Sequence, residues 1–148
     1  MPTDDNDEAQ DDPRLEHQLD ILKSRRLSQF AIAINGLRLA FWGEDAASIA
    51  REIFIEHPTI SIALKNEPDT THDWNHPVVA TALLTCLDKT LTDITLTGGK
   101  LTLSFANGVV VTADPDDQYK SWQINSGDGL LVVCMPGGEL AIWYPADR

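Results

Sequence analysis

His72-Asp73-Trp74-Asn75-His76 is the densest set of chemistry-capable side chains in this 148-residue chain. Two histidines four positions apart share a face of a helix, and Asp73 between them would supply a third donor to zinc. Pro77 follows directly, however, and the residue before a proline is pushed out of the helical region. The pair is therefore expected in a loop, where the spacing loses its chelating geometry. No second histidine motif completes a site, because His17 and His57 are lone residues. Asp114, Asp116, Asp117 and Asp128 are dense enough to suggest calcium. Neither the central glycine nor the terminal glutamate of an EF-hand loop is in place, so they read as turns with solvated acids. Cys86 and Cys134 lie in apolar segments and read as buried small hydrophobes, since a nucleophilic thiol needs a neighbouring base. Ser126-Gly127-Asp128-Gly129 has no helix after it to make a nucleophile elbow, and is too short for a dinucleotide loop. No catalytic residue, metal or other cofactor is expected.

Composition narrows the field from the other side. Acidic side chains number 23 against 11 basic, a net charge of −12, which argues against a binder that works by neutralising nucleic-acid phosphates. Mean hydropathy is −0.18 and the apolar runs are short, so no membrane helix is expected. Met1 to Asp5 lack the basic start and apolar core of a signal peptide, and two cysteines are too few for a disulfide scaffold. A cytoplasmic protein is expected. Residues 1–11 are acidic with almost nothing to bury and read as a disordered tail; residues 12–148 read as a single α+β domain.

The elements that must position these groups follow from periodicity. Asp12-Pro13 opens a helix that Leu15, Leu19 and Leu22 carry to about Arg25, with Lys23, Arg25 and Arg26 answering its dipole. Phe30, Ile32 and Ile34 alternate onto one face, Asn35-Gly36 signals a type I′ turn, and Leu37, Leu39 and Phe41 resume the alternation. Glu44-Asp45 breaks the run. Ser48–Glu56 is ambiguous between helix and strand, and the strand is favoured by Ile53-Phe54-Ile55. Thr59–Leu64 is a further strand, and residues 66–75 are expected to be loop. Pro77 opens a central helix to about Asp88, with Val79, Leu83, Leu84 and Leu87 on its buried face. Five strands follow: Leu91–Thr97, Leu101–Phe105, Val109–Ala113, Ser121–Asn125 and Leu130–Met135, with Leu140–Tyr144 after the Pro136-Gly137-Gly138 turn. Together they read as a mainly antiparallel β meander curling into a strongly curved sheet or partial barrel.

Leu37-Arg38-Leu39-Ala40-Phe41 and Leu101-Thr102-Leu103-Ser104-Phe105 share the form L-x-L-x-F, each after a glycine-containing turn. Either all such hairpins look alike, or two similar β-halves flank the central helix. The end of the chain carries Trp122, then Pro136-Gly137-Gly138-Glu139-Leu140-Ala141-Ile142-Trp143. With the Gly99–Gly108 hairpin and the Asp114-Pro115-Asp116 turn, it resembles a family of small bacterial proteins, mostly actinobacterial, known as a domain of unknown function. The resemblance covers roughly the last third well and the Gly36–Phe41 hairpin loosely. It implies a shared fold and no catalytic residue. Physically the motif is architectural: Pro136 stops a strand, the two glycines permit a turn, and the tryptophans supply apolar area. Glu139, the single charge in this stretch, either faces solvent at the hairpin tip or projects into a cleft as a recognition group.

These readings favour a non-enzymatic protein-binding domain. The expected surface is the Glu67–His76 loop, contributing Glu67, Asp69, His72, Asp73, Trp74 and His76, with Asp114, Asp116 and Asp117 of the following turn, and Glu139. Its most concrete form is a bacterial immunity-type protein that blocks a basic toxin domain through an acidic surface. Two alternatives stand beside it: a metal-binding protein or hydrolase using His72, Asp73 and His76, and a structural β-domain that self-associates through a strand edge.

Overall fold

The computed structural model describes residues 11–43 and 50–145. The expected tail (apart from Asp11), the Glu44-Asp45 break and the start of the ambiguous segment at Ser48 lie outside these residues. Helix α1, Pro13–Leu22, is capped by Asp12, whose carboxylate accepts from the Arg14 N–H at 2.8 Å. It ends three residues earlier than expected. Lys23 turns extended, Ser24 takes a positive φ of 69°, Arg25 is buried and Arg26 already opens the next strand. The basic trio therefore does not finish the helix. Lys23 instead pairs with Asp20 and Asp93, and Arg26 with Asp88.

Eleven strands are described: β1 Arg26–Ala33, β2 Gly36–Trp42, β3 Arg51–Ile55, β4 Thr59–Ala63, β5 Thr70–Asp73, β6 Leu91–Thr97, β7 Lys100–Phe105, β8 Val110–Ala113, β9 Trp122–Ser126, β10 Leu131–Cys134 and β11 Leu140–Trp143. Helix α2, Pro77–Cys86, lies between β5 and β6. The fold is α+β, and every strand pairing is antiparallel. The strands do not run on as a single meander. They divide into two open sheets, in the order β1-β2-β3-β9-β10-β11 and β5-β4-β8-β7-β6. Both sheets and both helices feed one core, in which the Phe41 and Phe105 rings stack 6.3 Å apart.

Several local expectations shift. Within the ambiguous segment, Arg51–Ile55 forms strand β3, as favoured. Residues 66–75 are not all loop, because Thr70–Asp73 pairs with β4. The first hairpin turns at Ile34-Asn35, not Asn35-Gly36, since Gly36 is already paired with Ala33. A Cβ on Gly36 would stand 2.4 Å from the Ile55 carbonyl oxygen, so the glycine is needed for close approach. Ile34 is exposed in the turn; Ile32 is exposed and Phe30 half-buried because they lie on an edge strand, at the margin of the core that their register partners Leu37 and Leu39 fill. Leu84 is 60% exposed, and Ala82 and Cys86 take the buried positions of α2 beside Val79 and Leu83.

The L-x-L-x-F repeat proves to be part of a longer correspondence. Residues 12–41 and 76–105 match without a gap. Asp12 and His76 cap their helices by accepting from Arg14 N–H and Val78 N–H. Pro13 and Pro77 open them, Leu15 and Val79 are buried, and Ser24 and Asp88 carry the positive φ after each helix. β1 and β6 bulge at matching places, Leu27/Gln29 and Leu91/Asp93. The junctions bond reciprocally: Ser24 N–H to Leu91 O (2.9 Å) answers Asp88 N–H to Leu27 O (2.8 Å), and Leu27 N–H to Lys89 O answers Leu91 N–H to Arg25 O. After β3 and β8 the halves exchange hairpins. β4–β5 crosses to pair with β8, and β9–β10 crosses to pair with β3, with Ile62 opposite Val111 as Ile124 is opposite Ile53. Among the described residues β11 has no counterpart.

The proline-glycine turn explains why the C-terminal motif is architectural. Trp122 Nε1–H donates to Gly99 O at 2.8 Å, and a Cβ on Gly99 would sit 2.5 Å from the Gly138 Cα. The β6–β7 turn of one sheet is thus seated on the Pro136–Gly138 turn beside the other. Gly99→Ala is expected to cost about 3 kcal/mol or more, because backbone must move, whereas Gly98→Ala, with open space around it, costs only the positive-φ strain of about 1 kcal/mol. Urea unfolding of the two variants checks the contrast. A second lock lies under α1, where buried Arg51 reaches Gln18 Oε1 and Asp128 Oδ2, each at 3.3 Å. Burial pushes the Asp128 carboxyl up, but the Ser126 hydroxyl, the Leu130 N–H and Arg51 together hold it below the ordinary aspartate value. A carboxyl lowered in the folded state stabilises fully above its unfolded value, and that contribution is lost as pH falls through the folded value. Asp128→Ala should cost about 2 kcal/mol at neutral pH, with the difference from the parent shrinking on acidification in unfolding curves.

Candidate functional site

A groove of about 350 Å³ joins the two segments singled out from the sequence. It is lined by Trp74 and Asp116, one from each, together with Asn35, Glu56, His57, Pro58, Tyr119 and Lys120. Trp74 directly follows β5, and its indole N–H donates to Ala33 O at 3.1 Å, which ties it to the β1–β2 turn where Asn35 sits. Glu56, His57 and Pro58 form the short β3–β4 connection. Ser121 O accepts from both Glu56 N–H (2.8 Å) and His57 N–H (3.0 Å) and fixes that connection against the start of β9. His57 Nδ1 accepts from the Thr59 N–H at 3.0 Å.

The opposite side comes from the β8–β9 connection. Asp116 Oδ1 accepts from Gln118 N–H (2.8 Å) and Tyr119 N–H (3.0 Å), closing an Asx-type turn that sets Tyr119 at the groove. Asp116 O accepts from Gly137 N–H at 2.8 Å, so the acidic turn is also anchored on the C-terminal signature. The two backbone donors from Gln118 and Tyr119 hold the Asp116 carboxyl below its ordinary value, with His57 adding a smaller attraction. Lys120 Nζ lies 3.3 Å from Glu56 Oε1. The result is an open groove with two aromatic rings, a proline and fixed charges. A carboxylate held ionised by its turn is a poor proton donor and a good acceptor for a cation or an N–H. Tyr119, 71% exposed, presents a large aromatic surface at the groove.

The other expected residues fall into two groups. Glu67, Asp69, Asp73, Asp114, Asp117 and Glu139 are exposed and line no groove with Trp74. Glu139 follows the Pro136–Gly138 turn, facing solvent. His72 and His76 are brought together although they share no helix, so the spacing expected to lose its geometry outside a helix still places them side by side. β5 and the α2 cap place their ring centroids 4.7 Å apart. His76 Nδ1 is occupied in capping α2, and His72 Nε2 is 2.7 Å from the Thr70 hydroxyl. Among the described residues no three His, Cys, Asp or Glu side chains gather as metal donors. Cys86 and Cys134 are free and buried, and burial pushes both thiols up, away from nucleophilic ionisation. Sequence reasoning missed Asn35, Glu56, His57, Pro58, Tyr119 and Lys120. The one local signal was an aromatic, Tyr119, inside a polar turn.

The profile of a family of unknown function, DUF6188, matches residues 19–144. The chain belongs to that family. The DUF6188 match reaches from the end of α1 to Tyr144, well beyond the last third that carries the clearest motif, and it spans all the groove residues. No curated protein and no solved structure matches the chain. Among the described residues no helix is long and apolar enough to cross a membrane.

The Asx-type turn makes a direct prediction. In a carboxyl-detected NMR titration, Asp116 should titrate below the ordinary aspartate value, and its turn should hold above that value and open as pH falls through the lowered one. Asp116→Ala removes the acceptor for both N–H groups, so Gln118 and Tyr119 amides should exchange faster while the core amides stay protected.

Proposed function

We propose that this chain is a non-enzymatic protein-binding domain that docks its partner on the groove between Trp74 and Tyr119. The observation that carries this reading is the convergence of two separate connections, β5–α2 and β8–β9, on one aromatic-lined groove with fixed carboxylates. Aromatic rings held by hydrogen bonds at a groove are the usual anchors of protein interfaces, because they bury much area at little entropic cost. Asp114 and Asp117 extend from the same connection, and the chain's −12 charge would steer a basic partner onto it. In its most concrete form the partner is a basic toxin domain whose working surface this protein covers, as immunity proteins do. That form rests on charge, size and analogy. Two free, buried thiols fit a cytoplasmic place of work.

The test uses the full chain as bait in a lysate of its host, washed over a range of ionic strength. A basic protein should be retained, released by rising salt, and held about tenfold more weakly by Tyr119→Ala, a surface change that leaves the core intact. Asp114→Lys with Asp117→Lys should slow association more than it speeds dissociation. Retention indifferent to salt and to Tyr119 would sink the reading.

A further inference from the structure

The correspondence between the halves exposes one place where it fails. β11 lies along the outer edge of β10, with Trp143 opposite Leu131 and Ile142 opposite Val132. Just past it, Tyr144 packs on the core and carries the Arg14 guanidinium 4.1 Å from its ring centroid. The flank of α1 is thereby filled by Arg14, Gln18, Tyr144 and the buried Arg51. The counterpart of β10 is β5, and β5 is the last strand of its sheet, with nothing paired to its outer edge among the described residues. The counterparts of Arg14, Gln18 and Arg51 are Val78, Ala82 and Val109, all smaller and apolar. Beside them the flank of α2 is open: Leu64, Pro77, Val78, Thr81, Ala82 and Thr85 line a hollow of about 330 Å³. Its two hydroxyls are turned to the helix, Thr81 Oγ1 to Pro77 O at 2.9 Å and Thr85 Oγ1 to Ala82 O at 2.6 Å. Leu64 and Val78 are 40% and 37% exposed.

We infer that the β5 edge and the hollow beside α2 form a second binding surface, which accepts an extended segment of a partner protein antiparallel to β5. The segment does there what β11 and Tyr144 do on the matching side. Backbone groups add to the sheet, and a large apolar or aromatic side chain at the end of the segment enters the hollow. The charges on the rim define the flanks of that segment. Glu67, Asp69 and Asp73 are exposed along the loop and edge and outnumber Lys65, the exposed cation of the same loop, so the segment carries lysine or arginine around its apolar residues. This surface is separate from the Trp74–Tyr119 groove, and either can fail without the other.

The probe is a synthetic peptide of residues 139–145 of this chain with Glu139→Lys, titrated into the full-length protein and followed by amide shifts and hydrogen exchange. Saturable shifts should centre on Thr70–Asp73, Leu64 and Val78, with slowed exchange along β5. The same peptide carrying Ile142→Pro should not bind, because proline removes a backbone donor and cannot continue a ladder. Val78→Asp in the protein should weaken binding at least about tenfold, the loss of one large apolar contact. That variant keeps its helix, since an acid in the first turn of α2 is favourable, and circular dichroism confirms it. Shifts confined to β10 and β11 would mean exchange with the native strand and would overturn the inference. So would binding indifferent to Val78→Asp, the absence of saturation, or a protein that dimerises through β5 without peptide.

Discussion

The antiparallel seams β3–β9 and β4–β8 make one molecule out of two similar halves. Each half builds a three-stranded sheet and then sends its next hairpin into the other's sheet, so neither sheet is complete without strands from both halves. Ile53 beside Ile124 and Ile62 beside Val111 are buried at those seams. Backbone hydrogen bonds between β1 and the segment after α2, and between β6 and the segment after α1, close the arrangement reciprocally. Local unfolding of one half therefore exposes sheet edges and core in the other, which binds the two into a cooperative unit.

Where the halves agree, the residues build the two sheets; where they differ, the surface of one half departs from that of the other. The β3–β4 connection is three residues long, Glu56 to Pro58. Its counterpart after β8 is longer and carries Asp116, Tyr119 and Lys120, and the groove forms between the two. Among the described residues β11 and Tyr144 have no match in the other half, and nothing covers β5 and the flank of α2 there. The C-terminal signature belongs to the structural class. Its glycines admit the β6–β7 turn, its neighbour Trp122 bonds to that turn, and its Gly137 N–H also holds the acidic turn beside the groove.

Much of this was legible from residues read in order. Period-two alternation located most of the strands, Asp12-Pro13 and Pro77 opened both helices, and the L-x-L-x-F pair announced the repeat. The misplacements share a cause. Ile32, Ile34 and Leu84 are apolar residues at the right period, but they sit on an edge strand, at a turn and on the outer side of a helix. β5 reads as loop because Thr70-Thr71-His72-Asp73 has no apolar alternation, and a polar edge strand needs none. The α1 end falls short of Arg25 because the basic residues that would suit a helix dipole here serve contacts with Asp88 and Asp93 across the chain.

By itself, then, the order of side chains determined the antiparallel α+β character and the helix starts, and it offered the internal repeat as one of two readings of the L-x-L-x-F pair. Those are properties of short windows, set by periodicity, capping and turn chemistry. Only the tertiary structure decided that the strands part into two sheets with exchanged hairpins, that Trp74 and Asp116 share one groove with His57 and Tyr119, and that His72 meets His76. Strand partnership is set by which hydrophobic faces can be buried together across long separations. No local window carries that information.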